Sequence, residues 1–488
     1  MFKVFLLTTI IVIAPFIVSA AIIHVPADQT TIQAGIDAAV DGDTVLVADG
    51  TYTGDGNRDI DFEGKAITVA SENGPETCIV DCQGTANDRH TGFNFHQGET
   101  NGSVVSGFTV QNGYVWQSGG GISCDASSPT ITDCIILRNT CYGGWSDNWT
   151  AEGWGGGGIY VENSTAVITH CIVSSNSAGN VGDGGGIYCF NASPTINSCT
   201  ISDNYSDWNG GGIAGRSSSL NIINCLITNN MGDNMGGGIL CSLSSSRISN
   251  CTIAGNVNRF WGESGGIYIQ TSDVVIVNCL LWNNASQVFF NNEGSVNVSY
   301  SSIQDGFPGI GNNFSNPLFV GGEPFDYRLS QDSPCIDSGT DTVETEIDID
   351  GNPRIQGGAV DMGAYENPGW PSMTRAYVKM PAHTFSSGDS ASCSVSVWNA
   401  DNSMMSHYPL FVILDVFDNY YCAPSYTGFD YYDWTYYPGL TELTVLPEFT
   451  WPENVGSASG IVWYAFLMNP EMTELVGGVG VFDFGWSE

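Results

Sequence analysis

Gly210-Gly-Gly-Ile-Ala-Gly-Arg-Ser-Ser-Ser-Leu-Asn-Ile-Ile-Asn-Cys-Leu-Ile-Thr-Asn-Asn230 is one unit of a repeat, and the repeat decides the fold. Its Ile213 has counterparts at Ile122, Ile159, Ile187, Ile239 and Ile267, each behind a glycine run. Its Cys225 has counterparts at Cys134, Cys171, Cys199, Cys251 and Cys279. Both series advance by 37, 28, 26, 26 and 28 residues. Ile222, Ile227 and Asn230 recur at the same offsets, the asparagines being Asn139, Asn176, Asn204, Asn230, Asn256 and Asn284. One further coil upstream fits in part, with Asn112 at the Asn position and Gly107 at the Cys position.

A unit this short cannot bury its apolar side chains alone, but stacked units can. Three short strands and three turns per coil, at about 3.3 Å per residue, accommodate the period. Isoleucine then stacks on isoleucine and cysteine on cysteine inside, and the β-branched residues suit inner strand faces. Asparagine stacks at a turn, where its amide reaches the next coil and its backbone tolerates the left-handed region. The expectation is an all-β chain: a right-handed parallel β-helix solenoid followed by a small β-sandwich.

The Gly-Gly-Gly-Ile phrases and the phrases Ile201-Ser-Asp-Asn204 and Ile253-Ala-Gly-Asn256 resemble the repeats of polymorphic outer-membrane proteins. More broadly they resemble right-handed β-helix proteins of the pectin-lyase-like superfamily. The opening is similar too, with Ile23-His-Val-Pro26, Thr31-Ile-Gln33 and Gly42-Asp-Thr-Val-Leu-Val47. The resemblance implies a short helix capping the first coil, and Ile32, Ile36 and Val40 share one helical face. Asn316-Pro-Leu-Phe319 through Asp361-Met-Gly-Ala-Tyr-Glu366 resembles the closing segment of exported bacterial β-helix proteins. Such a resemblance speaks for fold, since this fold hosts lyases, hydrolases, epimerases, adhesins and stalks. The Asp-Asp and Gly-His-Gly phrases of its polygalacturonases and the Asp-His of its pectate lyases do not occur here.

Around this repeat the domain limits fall into place. Lys3, the apolar run Val4–Val18 and Val18-Ser-Ala20 read as a secretory signal peptide over residues 1–20. The β-helix with its capping helix is placed at 21–366, a linker at 367–372 and an immunoglobulin-like β-sandwich at 373–488. The alternating stretches 391–398, 409–415 and 460–467 are its strands. The chain is therefore expected to be secreted or at the cell surface, with no membrane span. Without the leader, 11 basic residues face 51 acidic ones, a formal charge of −40. That surface makes nucleic acid a poor partner, because phosphate neutralisation needs Lys and Arg. It does suit Ca²⁺, which takes oxygen ligands. Asp348, Asp350 and Asn352 alternate as a cation loop would, as do Asp55, Asn57, Asp59 and Asp61. Ordinary turn formation explains both equally. Fifteen cysteines in periodic columns read as inward-packed thiols, with disulfides between stacked neighbours left open.

Between each ladder asparagine and the next glycine run lies a variable turn. These turns hold Trp116, Tyr142, Trp145, Trp149, Trp154, Trp208, Phe260 and Trp261. They also hold Asp147, Glu152, Asp183, Asp207, Asp233 and Glu263. Stacking aligns them into one ridge of aromatic faces and carboxylates, a combination suited to sugar rings. The candidate site is therefore Trp116, Trp145, Trp149, Trp154, Trp208, Trp261, Asp207 and Glu263, and the expected partner is a polysaccharide or cell-surface glycan. A polysaccharide lyase or glycoside hydrolase, a structural stalk or adhesin, and a ridge that merely shields strand ends all remain alternatives. Nine aromatics between Tyr420 and Tyr437 offer either a second docking surface or cover for the sandwich core.

Overall fold

The computed structural model describes residues 20–488 apart from 144–153, 261–264, 291–293, 322–324, 332, 342–344, 368–373, 380–383, 387–389, 400–403, 418, 427–428, 437–438, 451–457 and 488. Short strands wind into four parallel ladders. The first has eleven strands, from Ile22–Val25 to Gly294–Ser299. The second has ten, from Gly50–Tyr52 to Ser302–Ile303, and crosses one corner from the first. A third ladder of six runs from Tyr114–Trp116 to Val257–Asn258, and a fourth of nine from Ile60–Asp61 to Val288–Phe290. Three strands per coil hold only at the two ends. The middle coils carry a fourth strand, because the variable turn after each ladder asparagine extends and pairs with its neighbours. That extra strand makes the predicted ridge a sheet.

Register follows the repeat. Ile131, Ile168, Ile196, Ile222, Ile248 and Ile276 lie in one inner column, and Ile122, Ile159, Ile187, Ile213, Ile239 and Ile267 in another. All are fully buried. The fifteen cysteines stand as free thiols, fourteen of them buried. Burial pushes the thiols of Cys78, Cys141 and Cys241 up to about 12, so they pack as small apolar groups.

The asparagines form a buried ladder. Asn204 Nδ2 donates to Asn230 Oδ1 (3.0 Å) and to Val173 O (2.8 Å). The left-handed residue at this corner is the one before each ladder asparagine, such as Asp203 (φ 56°) and Asn229 (φ 55°). Two expectations are corrected here. In the upstream coil Thr109 pairs with Ile135, so Phe108 takes the Cys place and Gly113 the Asn place, one residue beyond Gly107 and Asn112. The capping helix Ile32–Ala38 buries Ile32 and Ile36, yet Val40 is exposed. The helix has ended by then, and Asp43 Oδ2 takes the Val40 amide to turn the chain into Thr44–Val47.

The closing segment folds back along the second ladder. Asn224 Nδ2 donates to Thr345 Oγ1 and Ile347 O, and Asn278 Nδ2 to Thr340 O. Arg354 donates to the carbonyls of Gly363 and Asn250. It is buried beside Glu366 (Nη1–Oε2 3.8 Å), with Asp348 and Asp361 near. Burial pushes Asp361 up to about 7, and burial reinforced by the Asp361 charge pushes Glu366 up to about 9. These are folded-state values above the unfolded ones, so the folded segment holds protons that the unfolded chain releases. The contribution of these protons to stability is fully present only below the unfolded values of 3.8 and 4.5, and is lost progressively as pH rises from there through the folded values of about 7 and about 9. Amide exchange of residues 345–366, corrected for intrinsic rate, is therefore expected to accelerate from pH 6 to 9 in the wild type and to flatten in Glu366→Gln. An equal rise in both would refute this.

Beyond the closing segment the strands are long and mainly antiparallel. Arg375–Lys379, Ser390–Asn399 and Gly439–Thr450 form one layer. Met405–Val416, Asn419–Cys422, Tyr432–Tyr436, Ala458–Met468 and Leu475–Ser487 form the other, and the parallel pairing of Arg375 with Gly478 joins the two into one nine-stranded sheet that includes Thr384–Ser386. Val395, Val397, Leu410, Val412, Trp463 and Leu467 share the core between them, as in a β-sandwich.

Candidate functional site

The third ladder lines up one outward column across six coils: Trp116, Tyr142, Gly179, Asp207, Asp233 and Arg259. Strand pairing places the first three opposite one another. The next three continue it, as the amides of Asp207, Asp233 and Arg259 bond the carbonyls of Ala178, Ser206 and Gly232. Successive members are therefore one coil apart, about 4.8 Å. Gly179 leaves room for its neighbour. A Cβ there would lie 3.2 Å from Tyr142 Cδ2, so the Tyr142 ring leans over the gap toward Asp207.

At the open end Trp116 is 56% exposed and Tyr142 44%. Tyr114 and Tyr142 stack at 6.5 Å and 16°. The Arg89 guanidinium lies 3.6 Å over the Trp116 ring, a cation–π contact. Its neighbour His90 pairs antiparallel with Tyr114 and sits between Asp59 (2.6 Å) and Asp88 (3.0 Å). Sequence reading missed Arg89 and His90, since they precede the regular repeat. Their scarcity was the available signal: the chain has 12 Lys and Arg and 6 His.

The acids of the column have local work. Asp207 accepts the Val181 amide (2.7 Å) on Oδ1 and the Asn180 amide on Oδ2. Asn180 (φ 52°) and Val181 (φ 66°) are left-handed, which turns their amides the same way. Burial holds the Asp207 carboxyl above the ordinary range, aided by the Asp233 charge, against the pull of these amides. Asp233 Oδ2 accepts the Tyr205 hydroxyl (2.9 Å), and Arg259 Nη1 lies 3.9 Å from Oδ1.

The other predicted residues divide. Trp208 is half-buried, its amide donating to Ser206 Oγ (3.1 Å), and it stands beside the column. Trp154 is half-buried too, and its carbonyl accepts the Asp183 amide. Trp145, Trp149, Trp261 and Glu263, with Asp147 and Glu152, lie outside the described residues. Asp183 is not on the surface of the ridge at all: it is fully buried, bonded to Asn209 Nδ2 (2.8 Å) and paired with Arg216. Behind it runs a buried stripe of Tyr160, Tyr188, Ala214, Leu240 and Tyr268 on the outward side of the fourth ladder. The sequence signal was the residue after each Gly-Gly-Gly-Ile isoleucine, which strand alternation should have exposed.

The cation loops also resolve. Both Asp348 oxygens accept N–H groups, Oδ1 from Asp350 and Asn352 and Oδ2 from Glu366. Asn352 Nδ2 turns to the same carboxylate, and Asp350 pairs with Arg328 (2.6 Å). These three residues shape a turn, with both Asp348 oxygens and Asp350 Oδ2 already facing donors. Asp59 and Asp61 likewise face His90 and His96. Among the described residues no group of three His, Cys, Asp or Glu is placed to hold a metal ion.

Fold and site together make this a right-handed parallel β-helix protein that presents an aromatic and acidic column on one sheet. Residues 157–321 match the family model described as a right handed beta helix region. No curated protein and no solved structure matches the chain. No helix among the described residues is long and apolar enough to cross a membrane.

Proposed function

We propose that this is an exported or surface protein whose third-ladder column binds a polysaccharide. The observation that carries the reading is the in-register pair Trp116 and Tyr142, large rings left in water at the head of a column that continues into carboxylates. Flat rings offer apolar contact to pyranose faces, and the partly exposed Asp207 offers its remaining lone pairs to hydroxyls, while Asp233 is buried behind it. Residues one coil apart are spaced about as closely as successive sugars of an extended chain, so a glycan can run along the solenoid axis. Binding is favoured over cleavage because both Asp207 oxygens and one Asp233 oxygen are engaged within the protein. Glycoside hydrolysis needs an acid and a base free to exchange protons. The apolar run Val4–Val18 supports export.

The test is retention on a panel of insoluble plant, algal and bacterial polysaccharides, with product size followed by mass spectrometry. Trp116→Ala is expected to weaken retention about five- to tenfold, the loss of one stacked ring at about 1 kcal/mol. Shortened or unsaturated products would replace this reading with a hydrolase or a lyase. Equal retention by wild type and Trp116→Ala would remove the column from it.

A further inference from the structure

We infer that the outward face of the C-terminal layer containing Met405–Val416 and Ala458–Met468 is a second polysaccharide-docking surface, an inference that rests on the carbohydrate reading above. Alternation defines the face. Leu410, Val412, Trp463, Ala465 and Leu467 point into the sandwich core, so Phe411, Ile413, Tyr464 and Phe466 point away from it. Phe411 is nevertheless only 4% exposed. It is covered by Phe429 at 5.1 Å and Tyr431 at 5.4 Å, and lies parallel to Phe466 at 5.2 Å and 15°. Phe429, on top of this stack, is 78% exposed. The dense aromatic segment thus splits: Tyr436 enters the core, Tyr421 and Trp434 are exposed on the core-facing side opposite Leu414 and Tyr408, and Tyr420 and Phe429 remain in water on the outward side.

Charge and ring chemistry select the occupant. From residue 373 onward Arg375 and Lys379 are the only Lys or Arg in the sequence, and Asp430 and Asp433 flank the exposed rings. Polyanions, including nucleic acid and anionic membranes, are therefore repelled. An uncharged polyhydroxyl chain meets no such penalty, finds flat rings for its C–H faces and carboxylates for its hydroxyls. The carboxylates of Asp430 and Asp433 beside the rings weigh against a protein partner, since protein interfaces are depleted of Asp. The pairing of exposed ring with carboxylate repeats that of the Trp116 column.

The experiment uses the full chain and the polysaccharide that the wild type retains best. Phe429→Ala and Tyr420→Ala, both at exposed positions of the outward face, are expected to weaken retention about tenfold together, with Phe429→Tyr close to wild type and unfolding midpoints unchanged. The double variant combined with Trp116→Ala should fall below either. Unchanged retention in the double variant overturns the inference and leaves the Trp116 column standing. Loss in the double variant with none in Trp116→Ala removes the column and supports this face. A wild-type dimer in sedimentation that Phe429→Ala dissociates, with retention intact, reassigns the face to self-association and overturns it. A wild type that retains no polysaccharide overturns both.

Discussion

Asn204→Leu is expected to destabilise the solenoid by about 4 kcal/mol or more, read as the loss in unfolding free energy from urea titration followed by circular dichroism. The side chain is buried in the middle of the asparagine ladder. Its Nδ2 donates to Val173 O and to Asn230 Oδ1, and its Oδ1 accepts both the backbone amide and Nδ2 of Asn176, each at 3.0 Å. Leucine matches the volume and removes all four bonds at once. Several buried groups on two neighbouring coils then lose a partner, at about 1–3 kcal/mol for each unsatisfied group. Relaxation can recover part of this, which is why the expected total is lower than the sum. Each coil touches only its neighbours, so the damage should also split the unfolding transition into two steps. A loss below about 1 kcal/mol with a single transition would contradict the ladder's role.

Gly211→Ala is the second large effect, expected at about 3 kcal/mol. Gly211 is the middle glycine of its run, and its place is set by close approach rather than by backbone angle. A Cβ there would lie 2.4 Å from the carbonyl carbon and oxygen of Met231 and 2.6 Å from Gly237 O. All three are backbone atoms of the next coil, so the coils themselves must separate to admit a methyl group. Separation stretches the ladder bonds Gly211 N to Gly236 O and Gly212 N to Gly237 O. Gly102→Ala is the control. A Cβ there meets only side-chain atoms at 3.5 and 3.6 Å, and no change of midpoint is expected. Similar midpoints for the two variants would refute the close-packing account.

The repeat was legible because a solenoid is a one-dimensional problem. Residue type at a fixed offset recurs when identical side chains must stack, so inner columns, the asparagine corner and the cysteine positions could be read directly from Ile, Asn and Cys spacing. The ridge was legible for the same reason, as Trp116, Tyr142, Asp207 and Asp233 occupy one variable turn per coil. The exact register at the first irregular coil was not. Pairing one residue later replaces the expected Gly107 by Phe108, and only the hydrogen bonds of Thr109–Gln111 with its neighbours decide between them. The exposed or buried fate of each acid was also out of reach. Asp183 and Asp207 come from equivalent variable turns, yet Asp183 is buried against Asn209 and Arg216, while Asp207 remains partly exposed and clasps the Asn180–Val181 turn.

The sequence by itself determined the period, the parallel stacking, the inner columns and the turn that carries the ridge, since these follow from side-chain pattern along the chain. Tertiary structure alone decided that the turn pairs into a ladder of its own, the third, and that Trp116, Tyr142, Asp207 and Asp233 share one column. It alone brought Arg89 and His90 to that column's open end and turned the oxygens of Asp348 to amides. Each of those outcomes depends on which backbone donors stand opposite a side chain from another coil, and that is a property of the stacked molecule and not of any single repeat.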